Sequence, residues 1–303
     1  MTIIIVSSLL ILLSCGIFDP LYEAMGNPLF IAAGDRIMTS VDGKTWNDST
    51  TIPIHPVNEV IYANGCFVAV DDSGDVLISE KGTSWERRTV YKNNILTSII
   101  YAQKKFVVTG ECEGIWKSDD AVTWDTINRN GSGNWINDIA YGNGRFVCVG
   151  WQIAGWSDDG NTFHLYSITT DLNSIAFGKG TFIAAGFSSI IKISHDGESW
   201  KNVNLYIDNI ELRVITYDIG IFMAGGININ DGKPLLFHSS DGIHWKDVSP
   251  SSEIGDLITD IQFGNNSFIA VGELYKVWRS KDDFLWEEIG RSDGVFNCIG
   301  YRP

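Results

Sequence analysis

One short pattern recurs seven times along this 303-residue chain: Ser, any residue, an acidic or polar residue, usually Gly, two further residues, then an aromatic. The copies run Ser40 to Trp46, Ser79 to Trp85, Ser118 to Trp124, Ser157 to Phe163, Ser194 to Trp200, Ser239 to Trp245 and Ser280 to Trp286. Their closing aromatics lie 39, 39, 39, 37, 45 and 41 residues apart. So regular a period means one supersecondary unit laid down repeatedly, and such a unit can bury its apolar face only against its neighbours. The fold must therefore be a stack or a ring.

Each copy has the same surroundings. A run such as Ile136-Asn137-Asp138-Ile139-Ala140-Tyr141-Gly142 comes first, then Arg145-Phe146-Val147-Cys148-Val149-Gly150. A third run, such as Gly114-Ile115-Trp116-Lys117, leads into the Ser, and a short segment follows the aromatic. The runs are short, β-branched and aromatic, and bounded by Gly, Asn or Asp, which is strand patterning. Four strands in about 40 residues make one blade of a β-propeller. Near-continuous apolarity in the first two runs fits sheets covered on both faces. Phe296-Asn297-Cys298-Ile299-Gly300-Tyr301 matches a first strand and then stops, whereas Leu29-Phe30-Ile31-Ala32-Ala33-Gly34 matches a second strand with no first before it. Pairing the two closes a ring and removes both open edges. The expectation is an all-β, seven-bladed β-propeller of four-stranded blades over residues 29–303, its C-terminal strand beside the N-terminal three.

The motif resembles the Asp box, or BNR repeat, of sialidases, sortilin-type receptors, some glycoside hydrolases and photosystem II assembly factors. The resemblance covers Leu29 to Tyr301, with Asp and Gly adjacent rather than one residue apart. It implies structural roles for Asp42, Asp120, Asp159, Asp196, Asp241 and Asp282, and for Trp46, Trp85, Trp124, Phe163, Trp200, Trp245 and Trp286. The Asp accepts backbone N–H groups in the turn between third and fourth strands, Gly takes the left-handed conformation, and the aromatic folds back into the core. Lys81, Ala121 and Asp283 depart from the pattern. Such a motif holds a blade together and carries no activity of its own.

The first segment reads as an address. Ile3 to Leu13 is apolar apart from Ser7 and Ser8, and is too short for the roughly 20 residues a spanning helix needs. It has the length of a signal-peptide core. Leu12-Leu13-Ser14-Cys15-Gly16 resembles a bacterial lipoprotein signal, although Leu13 is bulky for its place and no Lys or Arg precedes the apolar run. The division expected is a signal peptide over 1–14, a tether over 15–28 anchored by lipid on Cys15, and an exported propeller at the cell-envelope membrane surface. Four further cysteines, Cys66, Cys112, Cys148 and Cys298, show no C-x-x-C pair, and their pairing stays open. Cys148 falls where Ala69 and Ala184 fall in sister repeats, which reads as a small buried residue.

A formal charge of -15 with no basic run argues against nucleic acid and anionic membrane surfaces as partners. His55, His164, His195, His238 and His244 lack zinc-ligand spacing, and no nucleophile elbow or phosphate-cradling loop is present. Asp71-Asp72-Ser73-Gly74-Asp75 fits a tight hairpin rather than a calcium loop. Neither cofactor nor metal is expected.

The strand order gathers the starts of the first strands and the second-to-third strand hairpins on one face, around the mouth of the central channel. The starting positions are Asn58 and Glu59, Thr97 and Ser98, Asn137 and Asp138, Asn173 and Ser174, Arg213, Thr259 and Asp260, and Asn297. Glu59, Asp138 and Asp260 around Arg213 could hold a ligand or cation. Trp135, Trp151, Phe187 and Tyr275 belong to the same face, and the long hairpin Gly226 to Leu235 reaches it. The reading is a monomeric, non-enzymatic binding or assembly scaffold for a protein or glycan, with Glu59, Asn137, Asp138, Arg213, Asp260, Trp135 and Trp151 as ligand-binding candidates. The alternative is a glycan-binding or glycan-hydrolysing propeller, with Asp138 and Asp260 as an inverting pair if suitably spaced. Sialidase chemistry is disfavoured: Arg36-Ile37-Met38 lacks the Pro of that family's Arg-Ile-Pro, and a single Arg lies at the mouth.

Overall fold

A computed structural model describes residues 30–49, 55–129, 133–205, 207–250, 257–273, 276–280, 284–291 and 295–303. The leader, Cys15 and the tether, with Asp282, Asp283 and Tyr275, lie outside the described residues. The described chain is all strand and turn, without helix.

The first sheet contains β1 (Phe30–Gly34), β2 (Ile37–Ser40) and β3 (Asn47–Asp48). The second is β4 (Val57–Ala63), β5 (Cys66–Asp71), β6 (Asp75–Ser79) and β7 (Glu86–Thr89). The third is β8 (Leu96–Ala102), β9 (Lys105–Gly110), β10 (Ile115–Ser118) and β11 (Asp125–Asn128). Then come β12 (Ile136–Gly142), β13 (Arg145–Ser157), β14 (His164–Gly178), β15 (Thr181–Gly186), β16 (Ile190–Ser194) and β17 (Lys201–Asn204) in one sheet. The fifth is β18 (Ile210–Asp218), β19 (Ile221–Asn228), β20 (Pro234–Ser239) and β21 (Lys246–Asp247). The sixth is β22 (Ile258–Gly264), β23 (Ser267–Gly272), β24 (Lys276–Ser280) and β25 (Trp286–Arg291). Finally β26 (Phe296–Tyr301) pairs antiparallel with β1, Phe30 opposite Tyr301, and completes the first sheet.

The propeller is confirmed, but its blades number six rather than the seven expected from the repeat count: five sheets of four strands and one of six. The cause lies between the fourth and fifth repeats, whose closing aromatics are only 37 residues apart. That spacing leaves no loop to interrupt the ladder. β14 runs without a break from the end of one repeat into the start of the next, and Trp151 on β13 pairs with Asp171. The six-stranded sheet bends so that its two halves enclose one apolar cluster, with Val147, Val149, Leu172 and Phe182 at its centre. It therefore supplies two inner strands, β12 and the later part of β14.

The recurring motif forms the turn expected of it. Asp42, Asp120, Asp159, Asp196 and Asp241 each accept two backbone N–H groups two and three residues on, at 2.8–3.0 Å. Each also accepts the hydroxyl of the Ser two residues before it. Residue 160 shows why Gly follows: its φ is +65°, and a Cβ would stand 2.9 Å from the Phe146 ring. Ala121 takes the same left-handed conformation at φ 62°. The indoles of Trp85, Trp124 and Trp245 fold back and donate to the carbonyl of that residue.

Asp159→Ala removes three hydrogen bonds from one such turn and leaves the core untouched. It should lower stability by about 1–2 kcal/mol, read as a lower urea midpoint at unchanged slope.

Candidate functional site

The inner strands β4, β8, β12, β14, β18, β22 and β26 neighbour one another in a closed cycle around a cavity of roughly 490 Å³. Every one of them carries a β-bulge. The ladder skips Asn58, Thr97, Asn137, Asn173, Arg213, Thr259 and Asn297 in turn. A bulge re-aims a side chain, and here it turns six of these residues sideways onto the next inner strand.

Asn58 donates to the Leu96 carbonyl at 2.9 Å, Thr97 to Ile136 at 2.5 Å and Asn137 to Leu172 at 2.8 Å. Asn173 donates to Leu212 at 2.8 Å, Thr259 to Phe296 at 2.8 Å and Asn297 to Val57 at 2.9 Å. The polar rim read from the sequence is thus a set of latches between neighbouring strands. Asn137, a candidate ligand residue, has its amide committed to this set.

The next residue lines the cavity on six of the seven strands: Glu59, Asp138, Ser174, Val214, Asp260 and Cys298. Asp138 accepts four hydrogen bonds: from the Ser98 and Ser174 hydroxyls at 2.8 Å, Ile139 N–H at 2.7 Å and Ile175 N–H at 2.8 Å. Asp260 accepts Ile261 N–H at 2.7 Å and Ile299 N–H at 2.8 Å. Both aspartates therefore grip the following inner strand. Loss of water nevertheless dominates their ionisation: it raises Asp138 above the usual carboxylate range and pushes Asp260 up to about 7. Glu59 is raised well above its ordinary value, first by burial, then by the charges of Asp260 and Asp138. Cys298 occupies the same position on β26, and burial with Glu59 and Asp260 nearby drives its thiol well up.

All seven candidate ligand residues, Glu59, Trp135, Asn137, Asp138, Trp151, Arg213 and Asp260, line this one cavity. Trp135 and Trp151 stack with ring centroids 5.2 Å apart and planes 19° from parallel, pinned by a 2.9 Å hydrogen bond from Trp151 N–H to the Trp135 carbonyl. Trp151 remains 45% exposed. Arg213 makes no latch: its guanidinium pairs with Glu211 and sits 5.6 Å from the Phe187 ring centre.

Sequence reasoning missed Asp72, Glu273 and Cys298 as lining residues. Cys298 was recoverable, since it follows Asn297 as Asp260 follows Thr259. Asp72 was read only as part of a turn, and the structure keeps its neighbours there. Asp71 accepts Ser73 and Asp75 N–H and pairs with Arg87 at 2.8 Å, while Asp75 meets the same guanidinium at 2.6 Å. Among the described residues no cluster of His, Cys, Asp and Glu is arranged to hold a metal. Cys148 is buried, with its thiol pushed to about 12 by loss of water.

No protein-family profile matches the chain, and no curated protein matches it in sequence. Solved structures do match in shape. YCF48 bound to a D1 peptide superposes with a TM-score of 0.61 at 15% identity, covering 77% of this chain and 81% of that one. Streptogramin B lyase gives 0.67 at 11% identity, covering 80% and 86%. The computationally designed Ika8 protein gives 0.60 at 12%, covering 92% of each. What they share with this chain is the propeller fold.

The titration directions make stability depend on pH from two sides. The turn aspartates are held below their ordinary pKa by N–H donors, Asp159 at about 2, so their contribution is complete above roughly pH 4 and lost as pH falls toward 2. The cavity acids keep their protons in the folded state while the unfolded chain ionises, so stability falls as pH rises from about 4 to about 7. Melting temperature should therefore peak near pH 4. Glu59→Gln, which keeps the group neutral, should flatten the decline between pH 4 and 7; melts at half-unit intervals from pH 3 to 8 read both effects.

Proposed function

We propose that this chain is an exported, lipid-anchored propeller that acts as a binding or assembly scaffold through the mouth of its central cavity, without catalysing a reaction. The observation that carries the reading is the stacked Trp135–Trp151 pair lining the cavity mouth, with Trp151 half-exposed. An exposed stacked aromatic pair loses little side-chain freedom on binding and offers a large apolar area, as interface anchors do.

One feature supports binding over catalysis: Asp138 and Asp260 each direct one carboxylate oxygen at an N–H of their own strand and the other at an N–H of the following inner strand, a structural use of both acids. YCF48, which this chain resembles in shape, is described bound to a D1 peptide, and that supports a protein partner as the reading adopted here.

Capture from native envelope extract should recover a partner with the wild-type chain and lose it with Trp135→Ala/Trp151→Ala. Retention of the partner by the double variant would remove the mouth from the reading. Glycan-array binding without protein capture would favour the glycan alternative.

Export and anchoring rest on the Leu12-Leu13-Ser14-Cys15-Gly16 signal. Cys15→Ser should move the full-length protein from the membrane fraction to the soluble one, and continued sedimentation with membranes would rule out lipid on Cys15.

A further inference from the structure

Six of the seven junctions between neighbouring inner strands carry a latch from the bulged residue to the next strand's carbonyl. The exception is the junction of β18 with β22. The residue there is Arg213, whose guanidinium goes to Glu211 and the Phe187 ring instead.

A second layer of contacts, made by the following residue, runs beside the first. Ser98 donates to Asp138, Asp138 accepts Ser174 hydroxyl and Ile175 N–H, Ser174 accepts Ile215 N–H, and Asp260 accepts Ile299 N–H. At β18 the corresponding residue is Val214, whose side chain cannot hydrogen bond. The N–H of Ile261, which faces this junction, is bonded within its own strand by Asp260. Among the described residues both layers are therefore missing at this junction.

What joins β18 to β22 is apolar packing. Val214, Met223 and Leu236 meet Ile258, Ile261 and Phe268. The approach is so close that a Cβ on Gly225 would stand 2.6 Å from the Ile258 side chain. Such contacts are non-directional and tolerate sliding, whereas a latch fixes the register of two strands.

We infer that the ring has one weak seam, between β18 and β22, and that the propeller opens there in preference to any other junction. A closed ring distributes strain until one junction yields, and the junction without directional bonds has least to lose. The seam lies on the cavity wall, where Arg213, Val214 and Leu257 all face the lumen, so opening there widens the cavity. The inference does not depend on what the cavity binds.

Residue-resolved amide hydrogen exchange on the intact chain tests it. Amides of β18 and β22 should be about tenfold less protected than those of β4, β8 and β12, as two missing hydrogen bonds predict. Arg213→Asn installs the residue used at four other junctions. It should slow exchange at the seam severalfold and raise the melting temperature by roughly 2 °C. Asn173→Ala should create a second region of low protection, at β14 and β18. Equal protection at all junctions, or a minimum elsewhere, would overturn the seam. Unchanged seam exchange in Arg213→Asn would overturn the missing latch as its cause. The wild-type profile decides the first point even if a variant does not fold.

Discussion

The closed ring depends on one contact repeated around it, a bulged polar side chain on six of the seven inner strands donating to the backbone carbonyl of the next. Propeller blades are twisted sheets packed face to face, and apolar packing between them supplies most of the driving force. Packing alone does not set the rotation of one blade against another. The latch does, because a hydrogen bond from Asn or Thr is short, directional and tied to a carbonyl at a fixed height on the neighbouring strand. The bulge makes it available: without the extra residue, Asn58 or Asn173 would sit within its own ladder. Burying the amide costs little because it is satisfied on arrival.

This arrangement also explains the chemistry of the cavity. Asp138 and Asp260 stand one residue beyond the latch and use their oxygens as a second clasp on strand N–H groups. Bringing three acids to one space is unfavourable when all are ionised, and Glu59 is raised well above its ordinary value by burial and by the Asp260 and Asp138 charges. A cluster that looks from sequence like a ligand cage is therefore largely occupied with holding the ring. Recognition is left to the groups the ring does not use: the Trp135–Trp151 stack and Arg213.

Much of this was legible in the chain. Alternating runs, the seven turns and the partial repeats at the two ends lead to a propeller and to β26 beside β1, because strand period and turn chemistry are local properties. The turn aspartates and their glycines behave as their residue types require. Blade count was not legible. The residues around Thr169 and Thr170 are β-branched and extended, so the ladder crosses a boundary that repeat counting places there. The site was legible as a location and not as a bonding pattern. Asn137 and Asp138 line the cavity, but their partners on neighbouring strands lie 35 to 40 residues away, and no local signal says whether a polar side chain meets water or the neighbouring strand.

A ring built from near-identical junctions makes each departure from the pattern informative. Lys81 and Ala121 depart in the turns, where the fold tolerates them, since Gly82 N–H still reaches the Ser79 hydroxyl and Ala121 still adopts the left-handed conformation. Arg213 and Val214 depart in the latch layers, adjacent to each other, and both changes remove directional bonds from the same junction. A protein selected for rigidity alone would have little reason to place an arginine where Asn serves at four junctions. An arginine there trades a strand-to-strand bond for a charged group held at the cavity wall by Glu211 and Phe187, and gives up local stability where function most commonly draws on it. The position that weakens the ring is also the one that puts the mouth's basic group within reach of a partner.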